Sequence, residues 1–330
     1  MESLVHLNPY EGKTVFGFLL QFVIRIGYFL FGELSFSDLA SDEIQVIVLA
    51  GVSASSALVG SFLVLRKMTM LANSLSHTIL LGIVSVYLLT GAHDGLSNVF
   101  VHVEPINIHA MLLAALATGL VTAFLTEFLT KVARLQEDAS TGLIFSSLFA
   151  LGIILVTLLT RNAHIGTEVV MGNVDALRLD DCKLVLVIFA INAALFTLFF
   201  KEFKITTFDP ALSQAFGIST VFFNYLLMTQ VSCTAIGAFR AVGALMVLAF
   251  ITGPALTARL LTNDLKGMLF LAIGLGSIAS LIGVALSRHF LTVYGLALST
   301  GGVVVCTLTV FFAVAALYRC SVDFSLRDVA

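Results

Sequence analysis

The chain has 330 residues, of which 59% are hydrophobic and only 11% are charged, and its formal net charge is −3. A soluble globular domain carries about 25% charged residues, so this composition excludes an ordinary soluble domain and predicts a protein surrounded by lipid. There is no basic arm for nucleic acid, and the four cysteines lack the C-x-x-C spacing of a zinc or redox site.

Ten apolar segments are long enough to cross a membrane, which requires about 20 mostly apolar residues for each helix. They predict an all-α, polytopic membrane helix bundle that forms a single domain over residues 1–330. The segments are 14–32, 46–65, 69–90, 108–130, 141–160, 184–200, 221–238, 241–258, 267–287 and 293–318. Only Phe239 and Arg240 join the seventh and eighth segments, which leaves open a helical hairpin or a broken helix in place of two full crossings.

The positive charges between these segments indicate the orientation of the bundle. Eleven of the 17 lysines and arginines fall on the side shared by both termini and every second loop. These eleven are Lys13, Arg66, Lys67, Lys131, Arg134, Lys201, Lys204, Arg259, Lys266, Arg319 and Arg327. The bias predicts an even number of spans with both termini in the cytoplasm. Arg25 lies within the first segment, where we expect it to face a protein partner or a water-filled gap.

Small residues recur within the apolar segments, as at Gly60, Gly274, Gly276 and Gly283. Such residues allow helix backbones to approach each other closely, so they predict a packed bundle of many helices.

Between the sixth and seventh segments the chain is polar over residues 201–217. Asp209 is a residue type that caps a helix, Pro210 suits the first turn, and Gly217 can end the helix. Leu212 and Phe216 lie four positions apart and form one small apolar face with Ala215. The pattern predicts a short helix on the cytoplasmic membrane surface. Its function is either to contact a partner in the water phase or to rest on the lipid headgroups.

Two polar residues of the third segment, Asn73 and His77, are four positions apart and share a helix face. A neutral imidazole with nearby oxygen ligands can pass a transition metal, although a buried histidine bonded to the backbone fits the same pattern. Five further histidines are predicted on the outer side, with a spacing that matches no closed metal site, and we interpret them as interfacial residues. They are His93, His102, His109, His164 and His289.

No catalytic set of side chains and no complete nucleotide-binding motif occurs in the sequence. The tripeptide from Gly12 to Thr14 resembles the end of a P-loop, but the earlier glycine of that motif falls on Leu7. We therefore expect the chain not to be an enzyme and not to bind ATP by itself.

Residues 60–77 resemble the signature of permease subunits of ABC importers for zinc, manganese and iron. Further segments are similar to other parts of this family: 137–146, 171–177, 208–217, 239–245 and 253–261. The matches follow the order expected of the family from about residue 46 to residue 262.

The resemblance implies a type II ABC importer-like permease in the bacterial cytoplasmic (inner) membrane. The implied partners are cytoplasmic ABC ATPase subunits, an external metal-binding protein, and a second permease copy or a paralogue. It also implies that the segment 201–220 couples to the ATPase. The coupling residues would be Asp209, Pro210, Leu212, Phe216 and Gly217.

The resemblance further implies that Mn²⁺, Zn²⁺ or Fe²⁺ is transported and that no cofactor is bound permanently. His77 and Asn73 are the candidate metal ligands, although the family usually has an acidic residue where this chain has Asn73. That difference weakens the site, alters its metal preference, or requires a partner permease to supply the carboxylate. Two alternatives stay open: a permease of the same architecture for an organic cofactor or iron chelate, and an intramembrane protein without a transport role.

Overall fold

The computed structural model describes residues 9–10, 12–32, 38–70, 108–160 and 174–327, together with positions 72, 74, 78, 81, 82, 84 and 85. Helices dominate these residues and no strand occurs among them, which confirms the all-α prediction. The helices are α1 Val15–Leu30, α2 Ser41–Leu65, α3 Ile108–Val132, α4 Glu137–Thr160, α5 Leu179–Leu198, α6 Phe200–Phe208, α7 Pro210–Ala215, α8 Thr220–Val242, α9 Ala244–Leu261, α10 Leu265–Tyr294 and α11 Thr300–Arg327. A short 3-10 helix, Val174–Ala176, precedes α5.

Five of the described helices, α2, α5, α8, α10 and α11, are long and apolar enough to cross a membrane, and four others contain shorter apolar stretches. Every described position from 69 to 85 is helical, in agreement with the third predicted segment. A polytopic membrane bundle of about ten helices is therefore confirmed.

Helix α2 lies at the centre of the bundle. It is buried over most of its length and packs against α5, α8, α9 and α10. Beyond its first turn the helix carries no charged side chain, as expected for a helix that other helices surround on all sides.

Glycines permit two of the closest helix contacts. A Cβ atom added to Gly60 of α2 would lie 1.9 Å from the carbonyl oxygen of Ile251 in α9, and one added to Gly276 of α10 would lie 1.8 Å from Ser53 Oγ. The predicted role of small residues is confirmed at these positions. It is wrong at Gly274, where an added Cβ would meet no atom within 4 Å.

Helices α8 and α9 meet at Gly243, which has φ of 80° and ψ of 165°. Only glycine adopts this conformation without steric cost, and its N–H still bonds to the carbonyl of Phe239 at 2.9 Å. The junction predicted at Phe239 and Arg240 is therefore wrong, since both residues lie inside α8. The chain forms two separate helices that are joined by a single residue.

Candidate functional site

The polar segment after α5 folds into two short helices, α6 and α7. Asp209 caps α7, because its carboxylate accepts a hydrogen bond of 2.9 Å from the Leu212 N–H, and Pro210 occupies the first helical position. Gly217, with φ of 75°, turns the chain away after the helix. The predicted helix is present with these start and stop residues, whereas α6 was not predicted.

Helix α7 turns apolar side chains outward. Phe216 is 68% exposed and Leu212 is 44% exposed, whereas Ser213 on the opposite side is fully buried. The Ser213 hydroxyl donates to the carbonyl of Ile218 at 3.1 Å, which holds the turn that follows α7. The helix therefore presents a small apolar surface that the described part of this chain leaves uncovered.

Arg66, at the carboxyl end of α2, joins three helices beside this segment. Its Nη2 and Nε atoms each donate at 3.0 Å to the hydroxyls of Thr206 and Thr207 in α6. Its Nη1 atom donates to Asn224 Oδ1 in α8 at 3.2 Å. The sequence predicts Arg66 as one of the cytoplasmic charges. It does not predict these hydrogen bonds, because no local pattern indicates partners more than 100 residues away.

A cluster of phenylalanine rings fixes α6 to the end of the bundle. Phe203 of α6 is fully buried, and its ring centroid lies 5.0 Å from Phe196 of α5, 5.6 Å from Phe62 of α2 and 5.3 Å from Phe223 of α8. Such aromatic contacts add to the free energy of apolar burial. Helix α6 is thus a packed part of the bundle and not a flexible linker.

A polar group in the middle of the bundle joins α2, α5 and α8. The Asn192 side-chain amide donates to Ser55 Oγ at 2.7 Å and to Thr234 Oγ1 at 2.6 Å. All three side chains are buried. The sequence analysis missed this group, although an asparagine inside the sixth apolar segment was the visible signal.

Polar residues also meet at the opposite end of the bundle, where α2 begins. Asp42 forms a salt bridge of 2.9 Å with Arg288 of α10, and Thr300 donates to Asp175 at 2.6 Å. These residues line a cavity of about 240 Å³. The arrangement fixes the start of α2, the end of α10 and the start of α11 to the 3-10 helix.

The predicted metal ligands His77 and Asn73 lie outside the described residues, as do His93, His102 and His164. His109 lies in α3, and His289 in α10 packs edge-on against Tyr294 with ring centroids 6.0 Å apart. Within the part of the chain that the structure describes, no three histidine, cysteine, aspartate or glutamate residues come together as a metal site.

The described residues thus form a multi-pass helix bundle with a packed central helix, and the two-helix segment of α6 and α7 lies at one end of it. The ABC 3 transport family matches residues 42–319, and the chain belongs to this family.

Comparison with known proteins agrees with this assignment. The chain is 39% identical to a "probable metal transport system membrane protein" of Chlamydia trachomatis, over 96% of this chain and 95% of that protein. It is 31% identical to a manganese transport system membrane protein of Listeria monocytogenes, over 88% of this chain and 94% of that protein. The solved structure of PsaBC from Streptococcus pneumoniae in complex with Fab is similar, with a TM-score of 0.67 and 26% identity, over 82% of this chain and 89% of that chain.

Proposed function

We propose that the chain is the membrane permease subunit of an ATP-driven importer of a divalent transition metal. The observation that carries the proposal is the exposed apolar face of α7, on a capped helix that is firmly packed against the bundle. Family membership and relatives named for metal or manganese transport support the same function. Manganese is the first candidate, with zinc and iron as the other two.

Helix α7 would dock onto a cytoplasmic ABC ATPase subunit through Leu212 and Phe216. Leucine and phenylalanine each have only two side-chain torsions, so little conformational entropy is lost when they bind a groove from a well-packed helix. Since Phe203 and Arg66 hold the neighbouring α6 against α2 and α8, a displacement of α7 would pass into the bundle and not be absorbed by a loop.

The other partners follow from this orientation. With α7 in the cytoplasm, the polar cavity around Asp42 and Arg288 lies at the outer end, where an external metal-binding protein would deliver the ion. A second permease copy or a paralogue would complete the pathway across the bacterial inner membrane. His77 and Asn73 stay the proposed ligands of the transported ion, which is a substrate and not a resident cofactor.

The test is uptake of labelled manganese into vesicles that contain the permease, its ATPase and the external binding protein. Uptake should require ATP, and unlabelled manganese, zinc or iron added one at a time should compete to different extents. The metal that competes best identifies the substrate. If the complex is assembled but takes up no free metal, the proposal fails in favour of a permease for an organic cofactor or iron chelate.

A further inference from the structure

Tyr10, just before α1, and Arg25, in the second half of α1, bind the same carboxylate. The Tyr10 hydroxyl donates to Glu43 Oε1 at 2.6 Å, and Arg25 forms a salt bridge with Glu43 while also donating to the carbonyl of Asp38 at 3.0 Å. Glu43 is the third residue of α2 and only 2% exposed. Tyr10, which precedes α1, and Arg25, in its second half, therefore both lie beside the first turn of α2.

This placement is incompatible with a crossing by α1. The helix has 16 residues and is about 24 Å long, so an α1 that crossed beside α2 would begin near the far end of α2, roughly 20 Å or more from Glu43. Instead, Tyr10 reaches Glu43 directly and packs against Phe18 with ring centroids 4.4 Å apart. The middle of α1 is level with the start of α2, whatever the angle between the two helices.

The two faces of α1 differ in what covers them. Phe18 and Phe22 are buried on the inner face, and α10 is the helix that α1 contacts most. The outer face is apolar and exposed, from 43% at Ile24 to 86% at Phe31. The exposed residues on it are Phe16, Leu20, Val23, Ile24, Tyr28 and Phe31. Such a face at the level where a spanning helix begins matches the boundary between headgroups and acyl chains.

We propose that α1 is an interfacial helix whose outer face is embedded in the lipid leaflet beside the start of α2. The amino terminus then lies on the side opposite α7, outside the cell, in place of the cytoplasmic location predicted from sequence. Nine predicted membrane segments follow α1, from α2 to α11. Because nine is an odd number, alternating crossings that start outside at α2 end inside, which places the carboxyl terminus on the α7 side. Lipid is the occupant of the outer face because this apolar face lies beside the first turn of the spanning helix α2, where the acyl chains begin.

The side of the amino terminus can be measured with a membrane-impermeant maleimide. In a chain whose four native cysteines are replaced by alanine, Glu2→Cys reports the amino terminus and Gln214→Cys, exposed on α7, reports the opposite side. In sealed right-side-out vesicles, the Glu2→Cys chain should be labelled at once and the Gln214→Cys chain only after permeabilisation. If both require permeabilisation, α1 crosses the membrane and the proposal is overturned.

The lipid contact has an independent test, because the chain contains no tryptophan. Leu20→Trp on α1 and Ile278→Trp at the middle of α10 each create a single fluorophore at an exposed site. Lipids brominated near the headgroup should quench Leu20→Trp best, and lipids brominated near the chain end should quench Ile278→Trp best. A deep profile at both positions indicates a crossing helix. Quenching at Ile278→Trp alone indicates that protein, such as a second copy, covers α1, and either result contradicts the proposal.

Discussion

Arg66 donates a hydrogen bond of 3.0 Å to the hydroxyl of Thr206, a residue 140 positions further along the chain. Thr206 in turn donates to the carbonyl of Glu202 within α6 at 2.8 Å, so its hydroxyl is oriented to accept from Arg66. The bond connects the end of the central helix α2 to the segment that carries α7. The proposed ATPase contact and the centre of the bundle are therefore linked by side chains as well as by the backbone.

We predict that Arg66→Ala lowers ATP-dependent metal uptake while the protein still reaches the membrane. The substitution removes three hydrogen bonds from a half-buried guanidinium, and bonds to charged groups contribute about 1.5–3 kcal/mol each when buried, less where water screens them. A net loss of about 1.4 kcal/mol in the coupling equilibrium would reduce uptake about tenfold.

The measurement is vesicle uptake normalised to the amount of assembled complex. Lys67→Ala is the matched control, because it removes the same charge from the next, exposed position. Arg66→Lys should fall between the two, since an ammonium group cannot make the same three contacts. Unchanged uptake in Arg66→Ala would show that this linkage is not needed for transport.

Substitutions of Asp209 can show whether uptake depends on its helix-capping hydrogen bond or on its negative charge. Asp209→Ala and Asp209→Lys both remove the bond to the Leu212 N–H, at a cost of about 1 kcal/mol to a helix of only six residues. We expect both variants to lose uptake without a loss of membrane protein. Asp209→Asn keeps a capping oxygen and should retain uptake, and a defect in Asn as large as that in Ala would show that the carboxylate charge is what matters.

Phe216→Ala should weaken the association of the permease with its ATPase subunit. Exposed aromatic residues that enter a partner's pocket commonly contribute about 2 kcal/mol or more to binding. Because Phe216 is 68% exposed, its removal should leave the thermal stability of the isolated permease unchanged. Co-purification of the ATPase measures the effect, and Phe312→Ala, on the membrane helix α11, is the control. Equal ATPase recovery from both variants would exclude Phe216 from the contact.

In the candidate site, the features that the sequence predicted correctly are those that depend on near neighbours. Asp209 caps a backbone N–H three residues away, so its role can be recognised from the local pattern. The partners of Arg66 and Asn192 lie on helices distant in sequence, and hydropathy does not indicate which helices become neighbours. His77 and Asn73 stay a prediction from their shared helix face and from the family resemblance.

The first apolar segment shows a second limit. Residues 14–32 are as long and apolar as a crossing helix. Length and hydropathy alone, however, do not distinguish a helix that crosses the membrane from one that lies along its surface. The contacts of Tyr10 and Arg25 with Glu43 carry that distinction, and they join residues up to 33 positions apart. Charge bias does not make the distinction either, since Lys13 is consistent with the cytoplasmic amino terminus that the sequence predicts.

The contact between α2 and α9 predicts a large difference between two glycine substitutions. In Gly60→Ala the new Cβ would lie 1.9 Å from the backbone oxygen of Ile251, which cannot move away as a flexible side chain can. We expect this overpacking to destabilise the permease by about 1–3 kcal/mol.

In Gly274→Ala the new Cβ meets open space, and the higher helix propensity of alanine should leave stability equal or increased by up to about 1 kcal/mol. Thermal unfolding of the purified permease in detergent, followed by loss of the monodisperse peak, compares the two variants directly. Equal melting of Gly60→Ala and the unmodified protein would mean that α9 can move away from α2 at little cost. The central helix would then not be held as closely as the packing at Gly60 indicates.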